Sequence, residues 1–86
     1  MDETSLREKA RQVLRDRKLP DRRPDRTWGG PGAGASCAIC GLPVRREELE
    51  FEIQFVRDGH GPEGGLDQFH VHIICFAAWE LERRSA

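Results

Sequence analysis

Two pairs of metal-binding residues constrain what this sequence can fold into more than any other feature. Cys37 and Cys40 enclose two residues, and more than thirty positions later His72 and Cys75 repeat that spacing. Two thiolates from one tight turn, with an imidazole and a thiolate at the start of a helix, complete the tetrahedral shell of a Zn²⁺ ion. The sequence therefore predicts one structural zinc site with Cys37, Cys40, His72 and Cys75 as ligands.

The predicted site uses all three cysteines of the chain, which leaves none for a disulfide. That usage fits a reducing compartment, and the alternative is a set of buried free thiols. With 86 residues, the chain forms one small domain whose core is too small to outweigh chain entropy without a staple. We therefore expect the metal-free chain to be largely unfolded.

Charge is distributed unevenly along the chain, although the net charge is only −1. Residues 1–26 carry nine Lys and Arg against six Asp and Glu, whereas residues 27–86 carry five against nine. No apolar stretch approaches the ~20 residues of a membrane span, and the N-terminus lacks the apolar core of a signal peptide. The composition predicts a soluble, cytoplasmic protein without a membrane partner.

Residues 1–19 are predicted to form an N-terminal amphipathic helix, running from about Ser5 to Lys18 and ended by Pro20. Ser5 and Glu8 have the spacing of a capping box. One narrow apolar stripe lies beside a basic ridge; the stripe comprises Leu6, Ala10, Val13 and Leu14, and the ridge Arg7, Arg11, Arg15 and Lys18. A stripe this narrow needs a docking surface, either on the zinc-binding module or on another molecule, and we expect the helix to be mobile until a partner or a second copy of itself orders it.

Residues 20–35 are predicted to be a Pro- and Gly-rich connector. Prolines 20 and 24 favour an extended chain, and the glycines from Gly29 to Gly34 are typical of a linker. Trp28 is the exception, because a large apolar ring in a flexible segment usually packs onto something. We expect this indole to be buried on the zinc-binding module.

Residues 36–86 are predicted to form the zinc-binding module, and the whole chain belongs to the α+β class. Gly41 suits the positive φ that a Cys-x-x-Cys knuckle needs after its second cysteine. Alternation predicts strands over residues 48–56 and 66–72, with a long turn over 57–65 between them. In the first strand, Glu48, Glu50, Glu52 and Gln54 are expected on the solvent face. A terminal helix is expected from Ile73 to about Arg84.

The string from Phe69 to Phe76, Phe-His-Val-His-Ile-Ile-Cys-Phe, resembles the ligand-bearing segment of LIM-type zinc modules. The order of knuckle, β-hairpin and helix is also that of a treble clef, and the chain resembles short bacterial zinc-ribbon-like proteins. The resemblance implies a zinc-stabilised scaffold with Cys37, Cys40, His72 and Cys75 as ligands, and a protein-binding role. LIM domains hold two zinc ions, whereas this chain has cysteines for one half and a longer gap between its ligand pairs.

Two histidines compete for one ligand position. His72 is favoured by its spacing from Cys75, and His70 is the alternative. Strand alternation places His70 among the glutamates, where a solvated cross-strand pair is the simpler expectation. His60, in the glycine-rich turn, is expected to be plain surface.

The sequence favours a non-enzymatic function. A catalytic zinc site keeps an open position, whereas four ligands are available here, and no His precedes Cys37 as a deaminase signature requires. We therefore expect an interaction or regulatory module that binds a partner protein. The alternative is a nucleic-acid-binding module that uses the cations between residues 7 and 26, although interleaved acidic residues weaken its field. The sequence does not predict the oligomeric state.

Overall fold

The computed structural model describes residues 2–57 and 65–85, and it shows a small α+β fold of two helices and a three-stranded antiparallel sheet. The elements in chain order are α1 (Glu3–Arg15), β1 (Arg26–Pro31), β2 (Leu49–Val56), β3 (Leu66–His72) and α2 (Ile73–Ser85). The two predicted strands and the terminal helix are thus confirmed to within a residue. The predicted turn over 57–65, with His60, falls mostly on residues 58–64, which lie outside the described residues.

The sheet has the order β1-β2-β3, so β2 is its central strand. Ile53 pairs with Phe69 in β3 and with Thr27 in β1. Because paired residues point to the same face, β2 presents Ile53 and Phe55 to an inner face and Glu50, Glu52 and Gln54 to an outer face. The inner face is apolar because the alternation of residues 49–55 matches the two-residue period of a strand.

The predicted connector contains a strand, so its interpretation as a flexible linker is wrong for residues 26–31. These residues form β1 along the edge of the sheet, and Pro31, which lacks an N–H, ends it. Gly32 then lies so close to residues 44 and 45 that a Cβ would meet the Val44 carbonyl oxygen at 2.6 Å. Gly34 donates to that same carbonyl at 2.8 Å. Here glycine permits close packing of two backbones rather than flexibility.

Helix α2 covers the inner face of the sheet through aromatic side chains. Phe76 and Trp79 project from α2, and the Phe76 ring meets Phe51 of β2 edge to face, with centroids 5.3 Å apart. Trp79 is fully buried and meets Phe55 in the same manner at 6.4 Å. Edge-to-face pairs of this kind add to the stabilisation that comes from burying the rings. The domain core therefore lies between α2 and the hairpin.

Helix α1 packs on α2, which differs from the expected undocked helix. Leu6, Ala10 and Val13 of the predicted stripe are all buried. Arg7 and Arg11 donate from their Nε atoms to the two oxygens of Glu82 in α2, at 2.7 and 3.0 Å. Part of the predicted basic ridge therefore ties α1 to the fold, and the apolar stripe has its docking surface within the chain.

The ends of α1 differ from those predicted. Asp2 is the N-cap, and its carboxylate accepts the Ser5 N–H at 2.8 Å, so Ser5 lies inside the first turn instead of capping it. The helix ends at Arg15 because Arg17 adopts a left-handed conformation with φ of 56°. The Lys18 N–H then bonds to the Val13 carbonyl and the Arg17 N–H to that of Leu14, which are the two bonds of a Schellman motif. This turn delivers Leu19 to the core, where it is 1% exposed.

Two side-chain predictions on the sheet are wrong. Trp28 is 47% exposed on the outer face of β1 instead of being buried on the module. Conversely, Glu50 and Gln54, expected at the solvent face of β2, are only 8% and 9% exposed. Both belong to the central strand, which is flanked on each side by a neighbour whose side chains shield it.

In residues 2–57 and 65–85, neither helix has the length and apolarity required to cross a bilayer.

Candidate metal centre

Cys37, Cys40, His72 and Cys75 converge on one point at the end of the hairpin. One ligand atom from each lies within 4.8 Å of every other. Around a tetrahedral zinc ion, bonds of about 2.3 Å to sulfur and 2.0–2.1 Å to nitrogen separate neighbouring ligand atoms by about 3.5–3.8 Å. The donor set and its compactness therefore fit one metal ion, held by three sulfurs and one nitrogen.

The first two ligands come from a tight knuckle after residue 36. The Gly41 N–H bonds to the Cys37 carbonyl at 2.9 Å, and Gly41 has the predicted positive φ, at 81°. The turn directs the N–H groups of Ile39 and Cys40 at the Cys37 sulfur, at 3.4 and 3.5 Å. Several N–H donors around one sulfur stabilise the thiolate form that binds a metal.

The other two ligands lie where β3 passes directly into α2. His72 is the last residue of the strand, and Cys75 lies in the first turn of the helix. Two hydrogen bonds from backbone N–H groups join the halves of the site. Ala38 donates to the His70 carbonyl at 2.9 Å, and His72 donates to the Cys37 sulfur at 3.4 Å. These hydrogen bonds align the knuckle with the end of β3.

The imidazole of His72 turns its two nitrogens in different directions. Nδ1 lies 3.4 Å from the Cys40 sulfur and 3.9 Å from the Cys75 sulfur, so it is the nitrogen available to the metal. Nε2 faces away and lies 3.5 Å from a carboxylate oxygen of Glu48. His72 is only 8% exposed, which limits competition from water.

The thiols cannot all ionise without a compensating charge. A hydrogen bond from Cys75, assisted by the surrounding N–H groups, lowers the pKa of Cys37 to about 4 against the opposing effect of burial. The same hydrogen bond and burial raise the pKa of Cys75, and burial raises that of Cys40. A divalent cation among the sulfurs would remove this conflict, because it stabilises every thiolate that it touches. The electrostatics of the site thus match its geometry.

His70, the alternative ligand, lies outside the cluster. Its Nδ1 is 3.0 Å from a carboxylate oxygen of Glu50, although its register partner across the hairpin is Glu52. The Glu50 side chain is 11% exposed, so the pair is more buried than the solvated pair that the sequence suggests. Among the described histidines, only His72 belongs to the four-residue group.

Glu48 is the residue near this site that sequence reasoning missed. Alternation assigned it to a solvent-facing row of glutamates, but it precedes β2 and lies beside the end of β3. The signal that could have located it is the register of the hairpin: Glu50 pairs with His72, so the residue two positions earlier lies just beyond the strand end. Without the register, the alternation carries no such information.

An apolar surface borders the metal centre. Leu49 and Ile74 are 61% and 59% exposed, and together with Glu48, His72 and Ile73 they line an open pocket of about 330 Å³. Large aliphatic side chains placed side by side at the surface are a feature of sites where another molecule docks. The pocket therefore shares His72 with the metal centre.

Comparison of the chain with protein-family models, with curated proteins and with solved structures gives no match, so the likeness to LIM-type modules rests on ligand spacing alone.

Proposed function

We propose that this protein is a non-enzymatic module, stapled by one structural zinc ion, that binds a partner protein. The observation that carries the proposal is the set of three cysteines and one histidine within 4.8 Å, of which all but Cys40 are buried. This donor set is typical of structural zinc, and four protein ligands leave no position for a water or a substrate. Bound zinc would cross-link the knuckle to the segment where β3 passes into α2.

The order of knuckle, hairpin and helix supports a treble-clef-like assignment for residues 36–86. The knuckle supplies two ligands, the hairpin supplies one at its end, and the first turn of α2 supplies the last. The three unpaired cysteines also support the cytoplasm as the location, because a zinc-thiolate site persists most readily in a reducing compartment.

We place the partner surface at Leu49 and Ile74. They are well exposed and share one pocket next to the metal centre, which a metal staple would hold in shape. The partner surface that the sequence predicts, the apolar stripe of α1, is instead buried inside the fold.

The nucleic-acid alternative has less support. Arg7 and Arg11 are paired with Glu82, and Arg22 donates to Asp25 and to the Val56 carbonyl. Three of the cations between residues 7 and 26 are thus engaged within the protein, which lowers the charge available to phosphates.

The test captures partners from an extract of the source cells with zinc-loaded protein, with and without nuclease, and then measures the affinity for each purified partner. We expect capture that survives nuclease and that is lost in the double variant Leu49→Ser and Ile74→Ser. Leu66→Ser is the matched control, because Leu66 is 50% exposed at the start of β3, at the other end of that strand from the metal centre. Nuclease-sensitive capture whose affinity falls steeply with salt would replace the proposal with the nucleic-acid alternative.

A further inference from the structure

Metal binding requires one particular tautomer and orientation of the His72 ring. Its Nδ1 is the atom near the sulfurs, at 3.4 Å from Cys40. A neutral imidazole has one N–H and one lone pair, so a lone pair on Nδ1 requires the proton on Nε2. In free histidine the two tautomers interconvert, and a 180° flip of the ring would place a ring carbon where Nδ1 now lies. Some group must therefore favour the tautomer and orientation in which Nδ1 can bind.

The Nε2 atom faces one charged acceptor among the described residues. A Glu48 carboxylate oxygen lies 3.5 Å away, a little longer than a usual N–H···O hydrogen bond. Among the described residues, the other pair of a histidine with a carboxylate is His70 with Glu50. That pair lies outside the cysteine cluster.

Glu48 is itself held in place by a tight turn. Its N–H bonds to the Arg45 carbonyl at 3.0 Å, and its carboxylate accepts the Arg45 N–H at 2.9 Å. Glu48 is therefore held at both its backbone N–H and its carboxylate, although its side chain is 41% exposed. A carboxylate held in this way loses little further freedom when it accepts a second hydrogen bond.

We infer that Glu48 is the positioning residue of the metal centre: its carboxylate accepts the Nε2–H of His72 and so directs the Nδ1 lone pair at the ion. The inference rests on the proposed zinc site and adds to it a residue outside the ligand set. Outer partners of this kind orient a metal-bound histidine and raise its basicity, and removing one typically costs about 10–100-fold in metal affinity.

The first experiment measures zinc affinity by competition with a chromogenic chelator, using the full chain. We expect Glu48→Ala to weaken binding by about 10–100-fold and Glu48→Gln to weaken it less, because the Gln oxygen still accepts hydrogen bonds. Glu47→Ala is the matched control, an exposed glutamate one residue away in the same turn, and should bind like the wild type. Equal affinities of Glu48→Ala and the wild type would overturn the inference.

The second experiment reads the ring directly by long-range ¹H–¹⁵N NMR of the zinc-loaded protein. We expect His72 to show a protonated Nε2 and a metal-bound Nδ1, and the Nε2–H to exchange with water about tenfold faster in Glu48→Gln. A wild-type ring bound through Nε2, or an Nε2–H whose exchange is unchanged by the substitution, contradicts the role of Glu48 even if Glu48→Ala does not fold. Absence of zinc binding in the wild type would instead refute the proposed zinc site itself.

Discussion

The metal centre and the α1–α2 interface both join segments that are far apart in sequence, but they do so by different means. At the metal centre, residues 37–40 meet residues 72–75 through four ligand atoms and a few backbone bonds. At the other interface, Leu6, Ala10 and Val13 meet α2 through apolar contact, and Glu82 accepts from two arginines. The first contact is specified by residue type, whereas the second depends on how two helix faces fit.

This difference predicts unequal consequences when each contact is broken. The loss of a ligand removes a bond network that holds the module together, whereas the loss of one apolar side chain removes part of a distributed contact. We expect the effects to decrease from loss of the metal or a ligand, through loss of one buried apolar side chain, to a backbone change at the end of α1.

Removal of the metal should have the largest effect. Zinc contributes about 10–16 kcal/mol in small finger peptides, comparable with the whole net stability of a small domain. Chelation, or Cys75→Ser, should abolish cooperative thermal unfolding by circular dichroism, and the wild type should contain one zinc per chain. A cooperative transition in the chelated protein would show that the apolar core is sufficient without the metal.

His72→Ala should lower zinc affinity far beyond the 10–100-fold expected for an outer partner, because it removes a ligand. His70→Ala should leave one zinc bound and cost about 1–2 kcal/mol, since Glu50 is left largely buried without its partner. Zinc stoichiometry and urea unfolding of the two variants separate a ligand from a structural pair. Loss of zinc from His70→Ala would reverse the assignment of the ligand.

Leu6→Ala should destabilise the protein by about 2 kcal/mol, the lower end of the range for buried leucine, because Leu6 lies at the edge of the α1–α2 contact. Amide exchange should show strong protection of α1 in the wild type and selective loss of it in the variant, with zinc still bound. Leu42→Ala, at a leucine that is 56% exposed, is the control and should change little. Unprotected α1 amides in the wild type would show that the helix is the mobile element expected from its narrow stripe.

Arg17→Gly should have the smallest effect, a gain of about 0.5–1 kcal/mol. Arg17 has φ of 56°, a conformation that glycine adopts without the Cβ penalty. Lys18→Gly, one residue later and outside the left-handed region, should instead destabilise slightly by adding unfolded-state freedom. Thermal unfolding of both variants checks the sign, and a destabilised Arg17→Gly would mean that the Arg17 side chain makes a contribution larger than its backbone strain.

Sequence patterns predicted the elements nearest the metal centre well because the signals for those elements are local in the sequence. The two strands and α2 have clear two-residue or helical periodicity, and the knuckle needs only Cys37, Cys40 and the positive φ of Gly41. These signals lie within a few residues of the structure that they specify. The same local argument failed for residues 26–31, where glycines typical of a linker form a strand because a neighbouring strand pairs with them.

By itself, the sequence determined the α+β elements around the hairpin and the four residues that can serve as metal ligands, because period and ligand spacing are local properties. Only the tertiary structure decided that α1 docks on α2, that Trp28 remains exposed, and that Glu48 lies beside His72. Each of these depends on which surfaces meet after the chain has folded. The strand register, the fit of the two helix faces and the left-handed turn at Arg17 determine these contacts. None of the three produces a periodic pattern in the sequence.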